Sequence, residues 1–473
     1  MNTPIVRLYG LVVVLFAVLV FATSWWSVFG AAGLRENTAN RRPLLEEERI
    51  KRGTIRSADN KVLARSVALS DKRFGRRYPT GPLFAHAVGY SFTNLGRSGL
   101  EQSRNDALTG RRTELIGALD SLLGESDVGD NVRTTLSAKA QQVALKALGK
   151  RKGSVVALDP STGAVLVMAS TPTYDPNALD EGQNFKRLAS DDTNSPLINR
   201  ATQAGYPPGS TMKVVTAAAA LDSGRYRPES RVSGKNGKKI SGVPLNNFDN
   251  KDFGEIDLTT ALTNSVNTVW AEVGEKLGKG RMGDYMEKFG FYAPLDIDLP
   301  ADQLAGSGER SKGKLLSPDS RLIDVGRMAI GQDKLLVTPL QMAIVAATVA
   351  NGGVRMKPHL TAKVIDPDGR TVDDIEPQEA ETVMSRQAAR ELTAMMKNVV
   401  KEGTGTAAAL EGIELAGKTG TAEIDIQRGI NDPWFIGFTD EFAVAVVLER
   451  VQGGQGGIVA APIAKQVLEA LGE

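Results

Sequence analysis

Ser210 and Lys213 lie three residues apart at the start of a stretch, Ser210 to Leu221, whose other residues are all small or apolar. Pro207, Pro208 and Gly209 end the segment before it, so Ser210 opens a helix, where serine is favoured and the dipole stabilises a developing anion. The spacing puts Lys213 on the same face as Ser210, one turn along. Lys213 is the only charged residue between Arg200 and Asp222, and its surroundings predict a buried helix. An amine held there is pushed toward its neutral form, which can take the Ser210 hydroxyl proton and create a nucleophile. The same residues also fit a capping serine and a lysine that extends its ammonium to water. Ser311 and Lys314 repeat the spacing, but Gly313 and a hydrophilic setting suit a turn there.

Two more patterns carry polar groups suited to the same chemistry. Ser265 and Asn267 supply a second hydroxyl and an amide, although Ser103 and Asn105 show that this spacing also arises freely. Lys418-Thr419-Gly420-Thr421 occurs once, after the largely apolar Ile413 to Ala416. It reads as a strand bearing a cation, two hydroxyls and a glycine past which a substrate backbone could lie. Gly412 to Thr419 also matches the nucleotide-binding P-loop letter for letter. A P-loop follows a strand and opens a helix, whereas these residues are strand-like and run on into Gly420 and a polar loop around Asp425 to Asp432.

Composition removes other chemistries. No cysteine is present, so disulfide frameworks, thiolate metal sites and cysteine nucleophiles are excluded. His86 and His359 are the only histidines, which supports neither a metal cluster nor a Ser-His-Asp site; no metal or other cofactor is expected. A net charge of +2 gives no reason to expect nucleic acid as a partner.

The 473 residues imply two or three folding units. Leu8 to Gly30 is a run of 23 uncharged residues, against about 20 needed to cross a bilayer. With Trp25 and Trp26 near its end it reads as a transmembrane anchor over 8–30, behind a stub over 1–7. Arg7 precedes the run, and Arg35, Arg41, Arg42 and Arg49 follow it. That count favours a cytoplasmic body, but the rule weakens before a long domain. The charge run from Glu46 to Arg52 reads as a solvated helix face. Residues 31–130, with short apolar stretches at Val62 to Leu69 and Leu83 to Tyr90, form a small membrane-proximal domain. From 131 to 473 the chain reads as one α+β domain. Ser137 to Leu148 is a helix. Ser154 to Asp159 and Ala164 to Ala169 form a hairpin, Trp434 to Phe438 and Phe442 to Leu448 a second, and a helix follows Pro462. Strands at both ends of this region predict an antiparallel sheet assembled from both ends, flanked by helices.

Ser-x-x-Lys, Ser-x-Asn and Lys-Thr-Gly, in this order, form the set found in penicillin-binding proteins and class A β-lactamases. The chain resembles class B penicillin-binding proteins more widely. The likeness includes Asp159 to Gly163, Ser170 to Asn177, Asn199 to Ala201, Gly331-Gln332, Thr338 to Ala343 and Gly403-Thr404-Gly405. Arg52 to Ile55 and Leu63-Ala64 resemble the start of that family's membrane-proximal domain, and Ala460 to Ile463 is similar to the A-type proteins of actinobacteria. Ser57 to Lys61, and Asp333-Lys334 after Gly331-Gln332, depart from the family pattern.

The resemblance implies the penicillin-binding, serine β-lactamase-like fold with an all-helical subdomain. It implies a D,D-transpeptidase acting on peptidoglycan stem peptides ending in D-Ala-D-Ala, inhibited by β-lactams and needing no cofactor. Ser210 would be the nucleophile, Lys213 its base and Ser265 the proton relay to the leaving amine. Asn267 would hold the substrate amide, and Lys418, Thr419, Gly420 and Thr421 the terminal carboxylate and the strand edge. The oxyanion hole would come from the N–H groups of Ser210 and Thr421. Such a substrate places the body outside the cytoplasmic membrane, against the arginine count, beside a membrane glycan polymerase of the shape, elongation, division and sporulation family. About 100 residues between membrane and catalytic region leave no room for a second, glycan-polymerising domain.

Overall fold

The computed structural model describes residues 3–25, 48–69, 72–110, 128–179 and 182–472. Residues 26–30 of the apolar run, Arg35, Arg41, Arg42, Glu46 and Glu47 lie outside the described residues, as do 31–47 and 111–127 of the membrane-proximal segment.

The apolar run forms a helix, Thr3–Trp25, with none of its residues buried. It begins five residues ahead of the uncharged run, since Arg7 is a good helix former and need not end it. A helix apolar on all sides with no protein face against it suits a bilayer.

The main body is built on a six-stranded antiparallel sheet whose path runs Ala416–Asp425, Ile430–Phe438, Ala443–Leu448, Gly153–Leu158, Val165–Thr171, with the short Val451–Gln452 paired to one end of Ile430–Phe438. Both expected hairpins are present, and the sheet does join the two ends of the domain. Alternation decides the layers. Val155, Ala157, Val444, Val446 and Leu448 pack with Ala144, Leu148, Ile463 and Val467 from the helices Ala138–Leu148 and Ala461–Gly472. Val156, Leu158, Ala443, Ala445 and Val447 belong to the larger core that contains the helices Lys213–Asp222 and Pro339–Ala350. Covered on both faces, Ala443–Leu448 is buried at every residue, which explains its unbroken apolar run. The first flanking helix is capped as its sequence suggests: Ser137 accepts from Ala140 N and Gly149 ends it.

A second sheet crosses the expected boundary at residue 130. Its order is Thr371–Asp374, Thr361–Ile365, Asn131–Thr134, Ile55–Arg56, Val62–Ala68, Phe74–Arg77, so strands from both segments share one set of ladders. The joint is also pinned by Asp298. Its carboxylate accepts from Leu360 N at 2.7 Å, Thr361 N at 2.9 Å and Arg104 Nη2 at 3.0 Å. In the membrane-proximal part, wholly buried Glu101 accepts from Arg76 Nε at 2.6 Å and Arg52 Nη2 at 3.0 Å. Burial alone would raise its pKa, but the two guanidinium charges outweigh burial and hold it below the usual range.

Candidate active site

Gly209–Met212 is a single 3-10 turn leading directly into the helix Lys213–Asp222. Ser210 is thus inside a helical turn and makes no capping bond, which corrects the expectation that it opens the helix. Its half-buried hydroxyl is directed to Lys213 instead, 2.9 Å from Nζ. Lys213 is fully buried, so its ammonium does not reach water. The turn is fastened on several sides. Trp434 Nε1 donates to Pro207 O at 2.9 Å, Thr211 Oγ1 to Pro208 O at 2.7 Å and Gly209 N to Gly331 O at 3.1 Å. Gly331, with φ of +77°, comes so close that a Cβ on it would stand 2.0 Å from Gly209 O. That contact gives a physical reason for the Gly331-Gln332 signature.

Ser265 and Asn267 sit where the helices Leu258–Thr263 and Asn267–Leu277 meet. Ser265 takes a left-handed φ of +56°, uncommon for a residue with a Cβ. Lys213 Nζ lies 2.6 Å from Asn267 Oδ1, 2.7 Å from Ser265 O and 3.1 Å from Ser265 Oγ. The first two are carbonyl oxygens and can only accept. A neutral amine has two N–H bonds to satisfy them, which leaves its lone pair for a hydroxyl. Burial and then the charge of Lys418 push the Lys213 pKa well below its ordinary value.

Lys418 enters from the other side, its Nζ 2.9 Å from Ser265 Oγ. It too is fully buried, and burial lowers its pKa to about 7. Its strand, Ala416–Asp425, contains the whole Lys-Thr-Gly-Thr motif. A hairpin to Ile430 follows it, with no helix, so the P-loop reading is overturned. The second Ser-x-x-Lys is a hairpin turn with Lys312 and Gly313 at positive φ.

A Cβ on Gly420 would stand 2.9 Å from Pro208 O and 3.0 Å from Thr211 Cγ2, so its bare face admits the turn carrying Ser210. Among the described residues the strand pairs only with Ile430–Phe438 in its sheet, which leaves its outer edge open to an added strand. A Cβ on Gly209 would stand 3.1 Å from the carbonyl carbon of Thr421, which places the Ser210 turn beside the Thr421 backbone. Thr421 Oγ1 accepts from Gly456 N at 3.2 Å. Thr419 Oγ1 lies 2.5 Å from Thr404 Oγ1.

The site therefore brings together Ser210, Lys213, Ser265, Asn267, Lys418, Thr419, Gly420 and Thr421, all singled out from sequence. Three contributors had no assigned role. Trp434 holds the loop that leads into Ser210, Asn246 O accepts from Asn267 Nδ2 at 3.2 Å, and Thr404 meets Thr419. Only Thr404 left a trace in the sequence, as the centre of Gly403-Thr404-Gly405.

A serine hydroxyl against an enclosed lysine, with a second hydroxyl joining that lysine to another on an edge strand, is a site for serine acyl transfer. The penicillin binding protein transpeptidase domain profile matches residues 153–469, and the penicillin binding protein A dimerisation domain profile matches residues 52–132. The chain belongs to the penicillin-binding protein transpeptidase family. It is 35% identical to the peptidoglycan D,D-transpeptidase PbpA of Mycolicibacterium smegmatis and 34% identical to that of Mycobacterium tuberculosis, over 99% of each chain in both comparisons. Its fold is similar to penicillin-binding protein A from M. tuberculosis as a ceftriaxone acyl-enzyme complex, with TM-score 0.81, 32% identity and coverage of 90% of this chain and 99% of that one.

Proposed function

We propose that the chain is a serine-type peptidoglycan D,D-transpeptidase, inhibited by β-lactams through the same serine. The observation that carries this reading is Lys213 Nζ, 2.9 Å from the nucleophile and within 3.1 Å of Ser265 Oγ. Ser210 Oγ attacks the carbonyl of the penultimate D-Ala, and its proton passes to neutral Lys213. The oxyanion is held by the N–H groups of Ser210 and Thr421. As the peptide C–N bond breaks, Lys213 returns the proton through Ser265 to the departing D-Ala nitrogen. An amine from a neighbouring stem peptide then attacks the ester, gives up a proton by the reverse route and restores Ser210.

With Oδ1 engaged by Lys213, Asn267 offers the substrate an Nδ2–H, so it recognises an amide carbonyl. Lys418, Thr419 and Thr421 bind the terminal carboxylate. The test uses the full chain in detergent with a stem pentapeptide and an amine acceptor. Release of one D-Ala per cross-linked product is expected, and no release would overturn the reading.

The substrate is a cell-wall peptide, so this reading puts the body outside the cytoplasmic membrane, held by the Thr3–Trp25 helix beside a membrane glycan polymerase. A reporter active only outside the cytoplasm, fused after Glu473, should be active. Activity of a cytoplasmic reporter at that position instead would refute the topology.

A further inference from the structure

Thr404 is exposed, whereas Thr419, whose hydroxyl it meets at 2.5 Å, is 6% exposed. The turn bearing Thr404 is tightly placed. Gly405 N donates to Val399 O at 2.9 Å, and a Cβ on Gly403 would stand 2.4 Å from Thr263 O, two residues before Ser265. Thr404 is thereby fixed between the Ser-x-Asn turn and the Lys-Thr-Gly strand. Two hydroxyls this close share one proton and keep one free. If Thr419 donates to Thr404, the oxygen offered toward Lys418's side of the cleft is an acceptor and repels an anion. If Thr404 donates, Thr419 keeps its proton for the anion, and the chained bond strengthens it. Water can satisfy the exposed Thr404 oxygen in that arrangement.

We propose that Thr404 is a positioning residue for the carboxylate subsite, its hydroxyl donating to Thr419 Oγ1 and so turning the Thr419 proton toward the substrate's terminal carboxylate. The inference rests on the carboxylate-binding role of Thr419 given above. The experiment compares acylation of the full chain by benzylpenicillin and by its methyl ester, which lacks the anionic charge. Loss of an anion-directed hydrogen bond should make Thr404→Val about tenfold slower with the acid, and less than about twofold slower with the ester. Thr404→Ser should return the acid rate to within about threefold, because it restores the hydroxyl. Thr419→Val should show the same acid-selective loss. Absence of selectivity in Thr419→Val would sink the carboxylate reading and this inference with it. A selective Thr419→Val beside a Thr404→Val that is unaffected, or slowed equally with acid and ester, would overturn the inference alone. So would failure of Thr404→Ser to recover the acid rate.

Discussion

Full-length protein incubated with a fluorescent penicillin should carry a single label on the peptide containing Ser210, and Ser210→Ala should carry none. The serine hydroxyl is half-buried and 2.9 Å from the amine that can take its proton. Ring opening puts the new acyl group on Ser210 Oγ, while the lactam nitrogen receives its proton through Ser265. The adduct should persist. The opened lactam nitrogen stays tethered to the acyl group and, unlike D-Ala, does not vacate the place of the attacking acceptor, and neither buried lysine has a carboxylate among its hydrogen-bond partners within the described residues to act as a separate base for water. Intact-protein mass spectrometry over time and peptide mapping measure both claims. Label on Ser311, or rapid release of hydrolysed drug, would sink the acyl-enzyme reading in favour of another serine or a β-lactamase.

What the sequence could disclose follows from how locally each feature is determined. Ser210 and Lys213 meet because they are one turn apart, so their spacing carries the contact. The hairpins at 153–171 and 430–448 are readable because side chains alternate between two covered faces and the turns are short. Neither kind of signal reaches Thr404. It meets Thr419 only because the helix Arg386–Lys401 brings the chain back beside the edge strand. The shared sheet is equally hidden: Ile55–Arg56 pairs in parallel with Asn131–Thr134, which pairs with Thr361–Ile365, and no local pattern records that register. Gly420 shows the limit of such a signal, since a glycine announces a close approach without saying that the turn carrying Ser210 is what approaches. Serine's preference for helix starts leaves a capping role open for Ser210 in the sequence, and the 2.9 Å contact with Lys213 Nζ decides against it.

The charge states of the two lysines lead to the other large effect. Lys213 has to be neutral to receive the Ser210 proton, so acylation should rise with pH through its lowered pKa. Guanidinium stays protonated, and Lys213→Arg should therefore fail nearly as badly as Lys213→Ala, each losing about a hundredfold or more. Lys418 acts in the opposite sense. In the proposed mechanism its positive charge faces the carboxylate, and burial lowers its pKa to about 7, so the unliganded site loses that charge as pH rises above neutrality. The rate with a carboxylate-bearing penicillin should therefore fall on the alkaline side, giving a bell. Lys418→Arg should keep part of the rate that Lys418→Ala loses, and its alkaline fall should vanish because the charge no longer titrates. If the larger guanidinium cannot reach Ser265 the retained rate shrinks, but the Lys213 contrast stays. Second-order acylation rates for the wild type and all four variants across a pH series decide the question. Equal tolerance of arginine at both positions would mean that Lys213 is not the base, and Ser210 would then need a proton acceptor other than the amine 2.9 Å away.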